Sequence, residues 1–70
     1  MAEHVLNTVL RLRTQKSMTQ EELAEKIGVT RQTIISIEKG HYTPSVLLAL
    51  KISAVFKIPV DEIFKISYEK

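Results

Sequence analysis

Residues 19–40, TQEELAEKIGVTRQTIISIEKG, constrain the fold of this chain more than any other segment. Apolar and small side chains recur three and four positions apart on both sides of Gly28, which is the spacing of one buried face on each of two short helices. Gly28 itself suits the left-handed backbone of a tight turn. The segment therefore predicts a helix over residues 20–27, a turn, and a second helix over residues 31–38 that crosses the first at a steep angle. The inward-facing side chains are Leu23, Ala24, Ile27, Val29, Ile34 and Ile37.

Capping residues mark the ends of both motif helices. Thr19 followed three residues later by Glu22 is a capping-box pattern, in which the hydroxyl and the carboxylate each accept a backbone N–H. Acidic residues in this first turn also suit the positive end of the helix dipole. Thr30 is the corresponding cap of the second helix, and Gly40 ends it.

Three more helices are predicted outside this segment. The first covers residues 7–15. The fourth takes Thr43 as its cap and Pro44 in its first turn, and it ends at Phe56. The fifth covers residues 60–64.

The two ends of the chain allow one addition to this helical fold. Residues 64–68 alternate apolar and polar side chains, a period typical of a strand, and residues 4–7 are the nearest partner of similar character. A two-stranded β-ribbon joining the termini is marginal unless it packs on another element. We therefore predict one all-α domain of five helices over residues 1–70. The residue pattern alone does not decide whether the short ribbon forms as well.

Composition excludes several functional classes. The 70 residues contain no cysteine, which rules out disulfides and thiolate zinc sites. No apolar run approaches the ~20 residues that a membrane span needs, so we expect a cytoplasmic protein without membrane contact. The two histidines, His4 and His41, lie far apart, and the sequence contains no glycine-rich phosphate loop. We therefore expect no enzymatic activity, no metal, no cofactor and no small-molecule ligand.

The outer face of the second motif helix carries residue types that suit the edges of bases. On a helical wheel, Gln32 and Ser36 lie opposite the apolar pair Ile34 and Ile37, with Ile35 on one flank. Glutamine can pair with adenine through two hydrogen bonds, and an aliphatic side chain can contact the methyl group of thymine. We therefore predict that this helix reads bases in the major groove of double-stranded DNA. Ile35 alone is also consistent with an exposed aliphatic residue of no function.

Residues around that face are expected to contact the DNA backbone. Gln20 begins the first motif helix, whose N-terminal end carries a partial positive charge that attracts phosphate. Such contacts set the register and affinity of a complex without reading its sequence. The bordering residues are Thr30, Thr33, Lys39, His41 and Tyr42. For His41 and Tyr42 the alternative is local packing of the loop, and the net charge of +2 supports a nucleic-acid partner only weakly.

The segment MTQEELAEKIGVTRQTIISIEKG resembles the Cro- and repressor-type helix-turn-helix family, also called the xenobiotic-response-element family. Ala24, Gly28, Ile34 and Ile37 hold the spacing of that motif. The resemblance continues through YTPSVLLALKISAVFKIPVDEIF, so it covers residues 7–64. The chain is most similar to compact regulators of the cytolysin-repressor type. The resemblance therefore implies a five-helix, repressor-like DNA-binding domain with a terminal β-ribbon, which acts as a dimer.

The same resemblance implies roles for individual residues. Base-reading positions are occupied by Arg31, Gln32, Ile35 and Ser36. Phosphate-contacting positions are occupied by Gln20, Thr30, Thr33, Lys39 and Tyr42. The family pattern also pairs an arginine late in the first helix with the glutamate that ends the reading helix, which implies a structural ion pair between Arg13 and Glu38.

The chain departs from the family pattern at three positions. Ser17 stands where a glycine is usual, and Pro59 replaces the usual capping serine of the fifth helix. We therefore expect a strained or differently shaped turn before Met18 and a less firmly started last helix. Ile35 replaces what is commonly a small or polar residue, which affects the expected sequence preference more than DNA binding itself.

The apolar content of the fourth helix predicts a homodimer. Val46, Ala49, Ile52, Ser53 and Phe56 form one stripe that can cover the motif helices, and further apolar side chains lie outside it. The expected interface consists of Leu47, Leu50, Ile58, Ile63, Phe64, Ile66 and Tyr68. A two-fold pair places its reading helices about 34 Å apart, which matches an inverted-repeat operator. The alternative is that the terminal ribbon of the same chain covers this surface.

These features together predict a sequence-specific, DNA-binding transcriptional regulator. Repression by occupying a promoter is the expected mode, because 70 residues leave no room for a separate activating or ligand-sensing domain. An antitoxin or adaptor that acts mainly through protein–protein contacts is the alternative, since exposed leucines in the fourth helix suit a protein partner as well as they suit a second copy.

Overall fold

Five helices lie between two strands in residues 3–68, which are the residues that the computed structural model describes, the side chain of Tyr68 excepted. The five predicted helices are confirmed, and so is the ribbon that the family resemblance implies. In chain order the elements are β1 (Glu3–Asn7), α1 (Val9–Gln15), α2 (Gln20–Ile27), α3 (Arg31–Glu38), α4 (Val46–Phe56), α5 (Val60–Ile63) and β2 (Phe64–Tyr68). The first helix was expected to begin at residue 7, but Asn7 ends β1 and α1 begins only at Val9.

The predicted caps of α2 and α3 are present. Glu22 donates its backbone N–H to the Thr19 hydroxyl at 3.0 Å, and the Thr19 N–H returns a bond to the Glu22 carboxylate at 2.8 Å. The pKa of Glu22 is held below its ordinary value, chiefly by the hydrogen bond from the Thr19 backbone. Gly28 has a φ of 75°, as the turn between the motif helices requires.

The core lies where α2 and α3 meet the surrounding helices. Leu23 and Ile27 of α2 and Ile34 and Ile37 of α3 have essentially no exposed surface. The remaining members of the buried cluster are Val9, Leu12, Ala24, Ile52, Phe56 and Ile63. Because α3 contributes two fully buried isoleucines, its rotation about its own axis is fixed by the core.

The start and the inner face of α4 differ from the prediction. Ser45, rather than Thr43, caps the helix by accepting the Leu48 N–H at 3.2 Å, so Pro44 lies before the helix. Val46, predicted to face the core, is 76% exposed, whereas Leu48 and Val55 pack against the core cluster. The helix is apolar on nearly all sides, and this removes the periodicity from which its inner face could be read.

The β-ribbon joins the two ends of the chain. β1 and β2 are antiparallel, with Glu3 opposite Tyr68 and Asn7 opposite Phe64. Beyond the last pair, the Thr8 N–H donates to the Ile63 carbonyl at 3.0 Å. The ribbon is therefore continuous with the start of α1 and the end of α5, which supply the packing that an isolated hairpin lacks.

Ser17 and Pro59, which depart from the family pattern, both affect the local structure. Ser17 has a φ of 52°, so this serine occupies the left-handed region that glycine adopts more easily. Pro59 provides no side-chain hydrogen bond to the start of α5. The expectation of strain before Met18 and of a weakly capped last helix is thus met.

Candidate nucleic-acid interface

The outer face of α3 is open to solvent. Gln32 is exposed and Ser36 is half-buried, while Ile34 and Ile37 on the opposite side have no exposed surface. Arg31 is exposed at the first position of the helix. Ile35, between the two faces, is half-buried. One helix therefore packs its apolar side into the core and leaves its hydrogen-bonding side chains accessible along one edge of the molecule.

Two grooves flank this face of α3. The first is lined by Val29, Thr30, Gln32, Thr33, Ser36, Tyr42 and Leu48, so it brings five of the predicted DNA-contacting residues together. The second is lined by Arg13, Thr19, Gln20, Glu21 and Arg31, and it joins the start of α2 to the start of α3. Ile35, Lys39 and His41 line neither groove.

The start of α3 is held by two threonine hydroxyls. The Thr30 hydroxyl accepts the Thr33 N–H at 3.3 Å, and the two hydroxyl oxygens are hydrogen-bonded to each other at 3.1 Å. Each hydroxyl can still take part in a further bond, since a hydroxyl has one donor and two acceptor sites. Both predicted backbone-contacting threonines are therefore fixed in place at the edge of the first groove.

Gln20 has a partner inside the protein. Its Nε2 donates to the Glu38 carboxylate at 3.0 Å, which turns the side chain toward the end of α3. Because an amide nitrogen carries two hydrogens, one donor of Gln20 is left over beside the second groove. This orientation was not evident from the sequence, where Gln20 is simply the first residue of a helix.

Arg13 and Glu38 form the ion pair that the family resemblance implies. Arg13 Nε donates to Glu38 Oε2 at 2.7 Å, and the two side chains are only 11% and 6% exposed. Arg13 also donates from Nη1 to the Met18 carbonyl at 2.9 Å. The pair therefore ties α1 to the last residue of α3 and to the turn that leads into α2.

The six residues of the expected dimer interface whose side chains the structure describes fall into three groups. Leu47, Leu50 and Ile66 are 62%, 55% and 61% exposed and so present apolar surface. Ile58 and Phe64 are half-buried against the core. The expectation is wrong for Ile63, which is fully buried inside its own chain. The side chain of Tyr68 lies outside the part of the chain that the structure describes.

Sequence reasoning missed several contributors to this region. Thr19 and Glu21 line the second groove and Val29 and Leu48 the first, although each was read only as a capping, surface or packing residue. Asn7 was also missed, and its side chain contacts α3 over a separation of 30 residues. A lone asparagine at the start of a predicted helix carries no signal for so distant a contact.

Comparison with known proteins identifies the architecture. Residues 9–63 match the protein family described as Helix-turn-helix. The chain belongs to this family, in its Cro/repressor or xenobiotic-response-element type. Its members are DNA-binding transcriptional regulators and not enzymes.

Two relatives and one solved structure illustrate the family. The chain is 48% identical over 63 residues to the uncharacterized HTH-type transcriptional regulator YgzD of Bacillus subtilis, covering 90% of this chain and 96% of that protein. It is 33% identical to the cryptic phage CTXphi transcriptional repressor RstR of Vibrio cholerae, covering 74% of this chain and 47% of the repressor. The crystal structure of the restriction-modification controller protein C.AhdI from Aeromonas hydrophila superimposes with a TM-score of 0.71 at 31% identity, covering 77% of this chain and 82% of that one.

Other classes of site find no support in the described residues. Between residues 3 and 68, none of the helices combines the length and apolar character that crossing a membrane requires. Over the same range, histidine and acidic side chains form no group suited to holding a metal ion.

Proposed function

We propose that this protein binds an inverted-repeat DNA operator as a homodimer and represses transcription by occupying the promoter. The observation that carries the proposal is the division of α3, with Ile34 and Ile37 sealed in the core, Gln32 exposed on the opposite side and Arg31 exposed at the start of the helix. A helix so divided can enter the major groove with its polar side chains against the base edges.

Base recognition is assigned to four residues of α3. Arg31 can donate two hydrogen bonds to guanine, and Gln32 can pair in the same way with adenine. Ser36 can contact either kind of base, and the half-buried Ile35 retains enough surface to contact a thymine methyl group. The four residues proposed to recognise bases are therefore Arg31, Gln32, Ile35 and Ser36.

Contacts to the phosphate backbone are assigned to the rim of the two grooves. Gln20 and Thr30 are held there by hydrogen bonds within the protein, which lowers the entropy lost on binding. The exposed side chains of Lys39, His41 and Tyr42 follow α3 along the same edge. Together with Thr33, these residues are proposed to fix the register of the protein on the duplex.

The homodimer is proposed from the exposed apolar side chains of α4 and the ribbon. Leu47, Leu50 and Ile66 are each more than half exposed, and burying such surface in a second copy gains about 25 cal/mol per Å². A two-fold axis through this region presents two copies of α3 to successive major grooves, about 34 Å apart. The partly exposed Ile58 and Phe64 would complete the interface.

Repression is the proposed outcome because a dimer seated on a promoter blocks access to it. The relative from Vibrio cholerae is named a transcriptional repressor, which supports the same direction for this chain. Such a protein acts in the compartment that holds the DNA, which in bacteria and archaea is the cytoplasm.

A salt titration tests whether DNA or protein is the main partner. Binding of a labelled random duplex is measured between low and moderate salt by fluorescence anisotropy. A DNA-binding dimer is expected to lose affinity steeply, with a log–log slope of about −0.9 for each phosphate neutralised. The adaptor alternative is favoured by the exposed Leu47 and Leu50 and predicts negligible binding even at low salt. That result would overturn the proposal.

A further inference from the structure

The side chain of Asn7 joins three elements of the fold. Asn7 ends β1, where its Cα lies opposite that of Phe64 in β2. Its Oδ1 accepts the Val9 N–H at 3.1 Å, at the first residue of α1. Its Nδ2 donates to the Ile37 carbonyl at 2.9 Å, in the last turn of α3. One side chain thus connects the terminal ribbon, the start of α1 and the end of α3.

The Ile37 carbonyl is part of the structure that ends α3. The same oxygen accepts the Gly40 N–H at 3.0 Å, and the His41 N–H donates to the Ser36 carbonyl at 2.9 Å. A carbonyl has two lone pairs, so the bond from Asn7 completes its hydrogen bonding. Ser36 and His41, both assigned to DNA contact, therefore adjoin the point where Asn7 holds the helix.

Asparagine is specifically suited to this position. The Val9 N–H requires an acceptor and the Ile37 carbonyl requires a donor, and a primary amide supplies one of each. Aspartate keeps the acceptor for Val9 but sets a carboxylate oxygen against the Ile37 carbonyl. Serine can cap α1 through its hydroxyl, but its side chain is too short to reach α3 as well.

We propose that Asn7 is a positioning residue for DNA binding, which ties the terminal ribbon to α3 and so fixes the orientation of its last turn against the bases. This inference rests on the proposed function, since it assumes that α3 reads DNA. It adds that formation of the ribbon and placement of α3 are coupled through one side chain. Hydrogen bonds to base edges weaken steeply when distance or angle changes and they carry the sequence preference, whereas contacts to phosphate carry none.

The test uses Asn7→Ser and Asn7→Asp, with Ser53→Ala as a matched control. Ser53 donates to the Ile58 carbonyl at 2.6 Å, so its loss also removes a partly buried bond from a side chain to a backbone carbonyl, but at the end of α4. The full chain is used for each variant. Affinity for an operator duplex chosen from a random pool and for an unrelated duplex is measured at a temperature at which every variant is folded.

Both Asn7 variants are expected to lose about three- to tenfold in affinity for the selected duplex, the equivalent of one hydrogen bond. Affinity for the unrelated duplex should change by less than about twofold, because the phosphate contacts remain. Asn7→Asp should lose more than Asn7→Ser, since its carboxylate faces a carbonyl oxygen. Ser53→Ala should lower the melting temperature without changing the ratio of the two affinities.

Hydrogen exchange of the DNA-free protein distinguishes failure of this inference from failure of the proposed function. The amides of Gly40 and His41 should exchange about three- to tenfold faster in Asn7→Ser than in the wild type and in Ser53→Ala. If no duplex is preferred by the wild type, the proposed function fails, and this exchange result alone decides whether Asn7 holds α3. Unchanged exchange at both amides would overturn the inference. The inference would also be overturned if the ratio of the affinity for the selected duplex to that for the unrelated duplex is unaltered in both Asn7 variants. The same holds if this ratio falls equally in Ser53→Ala.

Discussion

The guanidinium group of Arg13 donates two hydrogen bonds to the carboxylate of Glu38, from Nε to Oε2 at 2.7 Å and from Nη2 to Oε1 at 3.3 Å. This contact joins α1 to the last residue of α3. Oε1 also accepts from Gln20 at the start of α2, so three helices meet at one carboxylate. The arrangement fixes the end of α3 through charge-assisted bonds, while the core fixes its rotation.

Removing the arginine should leave the glutamate charged and poorly compensated. We expect Arg13→Met to lower the free energy of unfolding by about 3 kcal/mol, because Glu38 keeps only the bond from Gln20 in a site that is largely closed to water. Urea denaturation measures this loss. Arg11→Met is the matched control, since Arg11 is an exposed arginine of the same helix. If the two variants differ by less than about 0.5 kcal/mol, the pair does not have this role.

The turn before Met18 offers a stabilising substitution. Ser17 has a φ of 52°, where a residue with a Cβ is strained and glycine is not. We therefore expect Ser17→Gly to raise the free energy of unfolding by roughly 0.5–1 kcal/mol, after allowing for the greater entropy of glycine in the unfolded chain. Lys16→Gly should instead lower the free energy of unfolding. Lys16 has a φ of −97°, which is not strained, so the substitution relieves no strain there. Thermal denaturation of both variants checks the sign, and a decrease for Ser17→Gly would contradict the prediction.

The capping box of α2 should make the folding stability of the protein depend on pH. The backbone hydrogen bond from Thr19 lowers the pKa of Glu22 in the folded state, so folding favours the ionised carboxylate. Its contribution is complete above the ordinary pKa of a glutamate and is lost as the pH falls through the lowered folded pKa. The stability difference between the wild type and Glu22→Gln should thus be constant above about pH 5 and shrink below about pH 4. Denaturation over this range tests it, and a difference that grows on acidification would show the opposite linkage.

The exposed face of α4 should control association. We expect the wild type to sediment at micromolar concentration with twice the 8.0 kDa mass of the chain. Leu50→Glu should sediment as a folded monomer, because Leu50 is 55% exposed within the chain and its replacement disturbs only the proposed interface. Gln15→Glu adds the same charge at an exposed position of α1 and should stay dimeric. A wild-type monomer at this concentration would refute the dimer.

The sequence was most informative where side chains act on their own neighbours in the chain. The Thr19–Glu22 capping box, the turn at Gly28 and the inward pair Ile34 and Ile37 depend on local spacing, and all were predicted correctly. α4 was harder, because nearly every residue in it is apolar and no period marks its inner face. Val46 was therefore placed inside and proved to be exposed.

Contacts between residues far apart in the sequence could not be predicted from residue spacing alone. The ion pair of Arg13 with Glu38 was anticipated only through the family resemblance. The bond from Asn7 to Ile37 was not anticipated at all, because nothing near either residue in the sequence marks the other. The residue pattern did not decide whether the ribbon forms, for a related reason. Its strands lie at opposite ends of the chain and are supported by packing that the alternation of residues does not reveal.

The most direct test of the central claim is to select duplexes from a random pool with the wild type, Gln32→Ala and Lys39→Ala. We predict that the wild type yields an inverted repeat with half-sites one helical turn apart, about 10–10.5 base pairs. Gln32→Ala should lose preference at one position of each half-site and about 1–3 kcal/mol of specific binding. Lys39→Ala should keep the wild-type consensus and weaken binding to all sequences alike. The same consensus and the same affinity from the wild type and Gln32→Ala would contradict the claim that the exposed face of α3 reads DNA.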